Sequence, residues 1–302
     1  MPDTTQADTK SFVDYEYRSP LSVREPTWST DREAMRWNKG GYSKDTIPSG
    51  VYEYISPYGS APYLGRIGIS VDKLLELPDD ATTEVLDHVV DFWSKESAFR
   101  ELNIVYKRGI ILYGPPGAGK SATIYRLVKK LEEHNAVMVM AQSAGEARAA
   151  IAMIKSLEQS RKIVIIFEDI DGIIRSYGDE SMTHLLDGGT DVDNTLFLAT
   201  TNYPERIPAR VLNRPSRFDV VIKIGMPTEA ARRVYVTALV NNLLIDIDQL
   251  VTETDGMSIA EIKEVVILVH IFSYEITTAV KRVRSFTIGN KSFKDTSVPV
   301  EK

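Results

Sequence analysis

Three observations in the sequence predict an α/β fold, a five-stranded parallel sheet with helices on both faces. A glycine-rich turn, Gly114 to Ser121, joins the apolar run Gly109-Ile110-Ile111-Leu112-Tyr113 to a helical pattern. The runs Ile163 to Phe167 and Thr195 to Thr200 do not alternate with polar residues, as expected of strands buried on both faces of a parallel sheet. Helical periodicity fills the intervals between such runs, which is the alternation of a doubly wound domain. A C-terminal helical subdomain and a small β-rich N-terminal region complete the expectation.

In chain order, residues 1 to about 45 are polar and interrupted by Pro20, Pro26, Gly40 and Gly41, and read as an arm. Val51 to Ile55 and Leu64 to Ile69 flank Ser56-Pro57-Tyr58-Gly59 and read as a small hairpin. Half of the fourteen tyrosines, with Trp28 and Trp37, precede residue 64; these rings either pack the β unit onto the main domain or grip a partner. Asp79 and Asp80 mark a helix start, and Val85, Leu86, Val89, Val90 and Trp93 give its apolar face. Asn103 to Arg108 lead into the strand before the glycine turn and are weak candidates for the neighbourhood of a nucleotide base. Beyond the turn come a helix over Ala122 to His134, a strand over Val137 to Met140 and a helix over Ser143 to Ser160. A helix around Met182 to Leu186 separates the last two long apolar runs, and Phe218 to Ile224 supply the fifth strand. From Glu229 the strand signal stops. Helices are expected over Glu229 to Leu244 and from Ser258, where Glu261 stands at capping-box spacing.

Composition narrows the function classes. A net charge of −6 and a pI near 5.4 argue against a chain whose whole surface clings to nucleic acid or anionic lipid. With no cysteine, disulfides, thiolate metal sites and cysteine nucleophiles are excluded. His88, His134, His184 and His270 lack ligand spacing. No stretch has the apolar length of a membrane span, and Met1 to Lys10 lack the apolar core of a signal peptide. The expectation is a cytoplasmic protein.

The chemistry starts at the turn. Backbone N–H groups of Gly114-Pro115-Pro116-Gly117-Ala118-Gly119 can converge on an anion while the helix opening at Lys120, Ser121 and Ala122 points its positive end there. Glycines at 114, 117 and 119 allow positive φ and close approach of the backbone to phosphate. Lys120 suits the β- and γ-phosphates, and the Ser121 hydroxyl suits Mg2+. At the end of the next long apolar run, Glu168-Asp169-Ile170-Asp171 puts carboxylates where a metal and an attacking water are handled. Thr200-Thr201-Asn202 ends the neighbouring run; its amide could bond a phosphate and a water, or serve a turn. Arg214 and Arg217, in Arg214-Pro215-Ser216-Arg217-Phe218-Asp219, could fork onto phosphate or form salt bridges to the acidic face.

Taken together with Gly256-Met257-Ser258-Ile259-Ala260-Glu261-Ile262, these motifs resemble, in order and spacing, the AAA ATPases over about residues 80 to 286. The approach segment Ile104 to Gly109 and the order Glu168-Asp169 are most similar to the branch containing the mitochondrial translocase of the Rieske protein, without its membrane anchor. The resemblance implies a P-loop NTPase (AAA) domain at 76–226, a helical lid at 227–288, an N-terminal arm and β-rich region at 1–75, and a flexible tail at 289–302. It implies Gly114 to Ala122 as the ATP loop, Ser121 and Glu168 as the Mg2+ residues, Glu168 and Asp169 as the Walker B pair and Asn202 as a sensor. Arg214 and Arg217 become arginine fingers acting in trans on ATP bound to a neighbour, in a homo-hexameric ring.

Departures from the family pattern are specific. Glu168 is one methylene longer than the usual Asp and Asp169 one shorter than the usual Glu; Ser216 replaces a glycine between the fingers. No aromatic stands in Gln142 to Glu146, where many AAA motors grip an unfolded chain. The implied function is an ATPase ring that remodels or translocates an unidentified protein partner. A ring scaffold with little turnover is the alternative, and the basic run Lys281-Arg282-Val283-Arg284 leaves a nucleic-acid remodeler as the less favoured third.

Overall fold

The five expected parallel strands are present, and they form one end of a larger sheet. The computed structural model describes residues 27–30, 36–40, 46–68, 75–78, 81–212, 214, 216–240 and 243–294. Its first strands are β1 (Thr27–Thr30), β2 (Arg36–Gly40), β3 (Gly50–Ile55) and β4 (Tyr63–Ile67). Helices α1 (Thr82–Ser94) and α2 (Glu96–Glu101) lead to β5 (Lys107–Tyr113), α3 (Lys120–Glu133), β6 (Val137–Met140) and α4 (Ala144–Lys155). Next come β7 (Ile163–Phe167), α5 (Ile170–Tyr177), α6 (Asp179–Leu186), β8 (Thr195–Thr201), α7 (Ala209–Leu212) and β9 (Val220–Lys223). The chain then turns wholly helical, with α8 (Glu229–Leu239), α9 (Ile247–Glu253), α10 (Ile259–His270) and α11 (Ile276–Lys294).

The strand order is β1-β2-β4-β3-β6-β7-β8-β5-β9. All pairs from β3 to β9 other than β3 with β4 are parallel, and β4, β2 and β1 continue the edge antiparallel. The expectation of five strands is therefore corrected: among the described residues, β3 and β4 make seven, and the two short strands inside the expected arm make nine. The physical reason is the outer edge of β6, whose backbone groups need partners. β3 supplies them in parallel register, from Gly50 opposite Val137 to Glu53 opposite Met140. The fully buried Tyr52 anchors that strand, its hydroxyl donating to Pro48 O at 2.8 Å.

The expected helix to Ser160 instead ends at Lys155 because the following turn holds the entry to β3. Glu158 Oε1 accepts from Ile47 N at 2.8 Å, Arg161 Nη2 donates to Ile47 O at 2.8 Å, and the two side chains pair with each other. The Asp79 and Asp80 helix start lies outside the described residues. The last helix runs to Lys294, beyond the expected boundary at 288.

Both sheet faces are covered, as the unbroken apolar strands require. Ile163, Ile165 and Phe167 join Phe197 and Ala199 under α4 to α7, whereas Val164, Ile166, Leu196 and Leu198 face α1 and α3. A third apolar cluster, with Val236, Leu250, Ile262 and Val280, lies among α8 to α11. The capping box forms: Ser258 accepts from Glu261 N, and the Glu261 carboxylate accepts from Ser258 N at 2.7 Å. Among the described residues, no helix is long and apolar enough to cross a membrane.

Candidate nucleotide-binding site

Because β8 lies between β5 and β7, the carboxyl ends of three neighbouring strands meet. They deliver the glycine turn, Glu168-Asp169 and Asn202, three stretches far apart in sequence. Gly117 and Gly119 take φ of 76° and 105°, a region costly for residues with a Cβ. Gly114 serves a different need, since a Cβ there would lie 2.1 Å from Ile224 O at the end of the neighbouring strand. Pro115 O accepts from Ala118 N, closing the turn, and Thr123 N donates to Gly119 O as α3 begins.

Lys120 is 6% exposed, and its Nζ donates to Gly114 O at 2.8 Å and Pro115 O at 2.9 Å. Burial pushes its pKa below the ordinary lysine value, opposed by the charges of Asp169 and Asp171. The ammonium is thus held by loop carbonyls that phosphate oxygens could replace. Ser121 is exposed in the first turn of α3, and Ala118, Gly119 and Ala122 wall a cavity of about 540 Å3. Leu75, Leu77 and Tyr235 line its far side. This cavity, rather than the Asn103 to Arg108 approach, adjoins the loop. Asn103, Ile104 and Val105 instead border a separate groove with Arg148 and Asp193. A strand carries its approach residues at the end opposite its carboxyl-terminal turn.

On the carboxylate side, Glu168 Oε2 accepts from the Tyr125 hydroxyl at 3.4 Å, and Glu168 Oε1 is buried with no hydrogen-bond partner among the described residues. Asp169 is in the left-handed region at φ 49°, a conformation that costs energy outside glycine and that Asp tolerates better than most. Its N–H donates to Thr200 Oγ1 at 3.0 Å, and its Oδ1 accepts from Asn202 Nδ2 at 3.1 Å. Behind them, Thr201 Oγ1 donates to Asp171 Oδ1 at 2.7 Å and accepts from Tyr203 N. Adjacent strand ends are therefore cross-braced.

The two arginines sit together on one acid. Arg217 is 5% exposed and donates through Nε and Nη2 to Asp187 at 2.7 and 2.6 Å; Arg214 Nη1 reaches the same carboxylate at 2.9 Å. The salt-bridge alternative is thus realised within the chain. The hydrogen bond from Arg217 holds the Asp187 carboxyl below the usual aspartate range, so the cluster persists at neutral pH and opens only on acidification below that range. Lys107 Nζ ties the same region, donating to Leu186 O and to Ser216 O.

Asp187 and Tyr125 are the residues that sequence reasoning missed. The acid before Gly188-Gly189 was a visible complement to two arginines, but nothing in the sequence brings residue 125 to residue 168. The basic run is partly occupied, since Arg284 Nη2 donates to Glu253 O and Asp255 O and Arg282 Nη1 to the Tyr274 hydroxyl.

A glycine turn between a parallel strand and a helix, with acids at the tip of another parallel strand of the same sheet, defines the P-loop nucleotide-binding class. Within that class, residues 110–226 match the family model of the ATPase family associated with various cellular activities (AAA). It is 30% identical over 157 residues to the probable mitochondrial chaperone bcs1 of Schizosaccharomyces pombe, covering 48% of this chain and 34% of that protein. It is 29% identical over 276 residues to the proteasome-associated ATPase of Mycobacterium leprae, covering 76% of this chain and 42% of that protein. With the ATP-dependent zinc metalloprotease FtsH of Marinobacter nauticus the identity is 26% over 204 residues, covering 60% and 32%. The chain therefore spans about a third to two fifths of the length of these relatives.

Proposed function

We propose that this chain is a Mg2+-dependent ATPase that works as a ring, most simply a homo-hexamer, and remodels or translocates a protein partner. The observation that carries the reading is the pairing of a phosphate loop, its lysine poised on replaceable carbonyls, with a buried carboxylate oxygen at the end of β7 that lacks a partner among the described residues. Glu168 Oε1 suits a cation: a hard oxygen ligand, already desolvated, at the tip of a strand one removed from the loop's own. Ser121 and Glu168 would hold Mg2+, which when bound neutralises charge developing on the β- and γ-phosphates. Gly114 to Ala122 would cradle the phosphates of ATP, Lys120 would contact the β- and γ-oxygens, and the adenosine would occupy the cavity beside Leu75, Leu77 and Tyr235. Asp169, steadied by Asn202, would orient the attacking water. Arg214, the more exposed arginine, would reach the neighbouring subunit's ATP with Arg217 behind it, on a segment buttressed by Asp187.

The trans arrangement is tested by mixing subunits. Lys120→Ala and Arg214→Ala proteins are each expected to be inactive, and a mixture of the two is expected to regain phosphate release. The Arg214→Ala site keeps its lysine and borrows an arginine from its neighbour. A mixture as inactive as its components would overturn a ring with trans-acting arginines.

The second reading, an ATP-dependent scaffold with little turnover, is favoured by one observation, the double anchoring of Arg217 on its own chain. Trapping separates the two. With Asp169→Asn protein held in ATP, the remodelling reading predicts a co-purifying protein that ADP releases. Rings that stay bare in ATP, paired with wild-type protein that releases no phosphate, would decide for the scaffold.

A further inference from the structure

Tyr125 lies about one and a half turns beyond Lys120 on α3. Its ring is half-buried against the apolar cluster on that face of the sheet and borders a cavity of about 250 Å3 together with Glu53, Tyr54, Ile67 and Gln142. The hydroxyl donates to Glu168 Oε2, and the other oxygen of that carboxylate is buried and has no partner among the described residues. Glu168 has one more rotatable bond than the aspartate usual at this place, and an unrestrained glutamate loses side-chain entropy when it settles on a ligand. A hydroxyl holding one carboxylate oxygen removes that freedom in advance and sets the direction of the other.

We propose that Tyr125 is a positioning residue for Glu168, fixing its carboxylate through Oε2 so that Oε1 is presented to the divalent cation of the bound nucleotide complex. The inference rests on the reading of Glu168 as a cation-binding residue. It assigns to the phosphate-loop helix a second task, since the helix that starts at Lys120 also orients the carboxylate across the cleft. Partners one step removed from a metal ordinarily change metal affinity by about 10- to 100-fold, and a hydrogen bond as long as this one belongs at the lower end.

The test uses Mn2+ as the probe, titrated into the full chain with saturating ADP and followed by the electron paramagnetic resonance signal of the free ion. Tyr125→Phe is expected to weaken Mn2+ binding by about tenfold while leaving ADP affinity in excess chelator unchanged. Glu168→Ala is expected to weaken Mn2+ binding at least as much, and adding Tyr125→Phe to Glu168→Ala is expected to weaken it no further. If Glu168→Ala keeps the wild-type Mn2+ affinity, the assignment of Glu168 itself fails. Should Glu168→Ala weaken binding while Tyr125→Phe matches the wild type, only the role of Tyr125 is overturned. An undiminished effect of Tyr125→Phe in the Glu168→Ala background also overturns it, because the ring would then act by another route.

Discussion

Replacing Lys120 with alanine is expected to lower ATP turnover by at least about 100-fold, the scale on which removal of a preorganised charged donor is felt. The lysine is almost wholly buried, and both of its donated bonds go to carbonyls of the loop it serves. One of those carbonyls is already shared within the turn, Pro115 O accepting also from Ala118 N, so phosphate can take the ammonium over without orphaning both. The change should remove a charge-assisted contact to nucleotide worth about 1.5–3 kcal/mol, and with it the contact strengthened as charge shifts to the leaving phosphate. Lys120→Arg is not expected to rescue, since a planar guanidinium is wider than the ammonium and the site is closed around it. Phosphate release, nucleotide affinity and thermal melting read the result together. A variant that melts like the wild type and turns over at the same rate would remove the phosphate loop from the mechanism.

Gly109→Ala should be as damaging by a different route. The added Cβ would stand 1.8 Å from Arg217 O and 3.0 Å from Phe218 Cα, backbone atoms that no side-chain rotation can move aside. The segment carrying the arginines must therefore lift off β5. Asp219 now straps it there, its N–H donating to Gly109 O at 2.9 Å and its Oδ1 accepting from Ser216 N at 3.0 Å. Overpacking of this kind costs about 1–3 kcal/mol and occasionally more. A melting temperature lower by several degrees is expected, with phosphate release reduced more than nucleotide binding, because the loop itself is untouched. Unchanged stability together with unchanged turnover would show that the arginine segment does not depend on its seat against β5.

The strands of the α/β core and the phosphate loop could be read along the chain because each is written locally. Ile163 to Phe167 is apolar at every position, which only a strand covered on both sides tolerates, and Gly117 and Gly119 stand where the backbone must take positive φ. Ser258 and Glu261 announced their helix three residues apart, and the capping box formed. The N-terminal strands were harder. Gly50 to Ile55 reads as one arm of a hairpin, and that is correct as far as local pairing goes; its parallel seat on β6 depends on an edge about 85 residues away that no local pattern mentions.

The same division holds at the site. Residue type and order by themselves located the glycine turn, the acids at the strand tip and the arginine pair, since each motif is written in neighbours within a few positions. Only the tertiary structure decided that Asp187 would hold both arginines, that Tyr125 would reach Glu168 and that Gly109 had to be a glycine. Each of those facts is a contact between segments that strand order brings together. A glycine chosen to let a distant carbonyl approach looks, in the sequence, like any other residue of its strand.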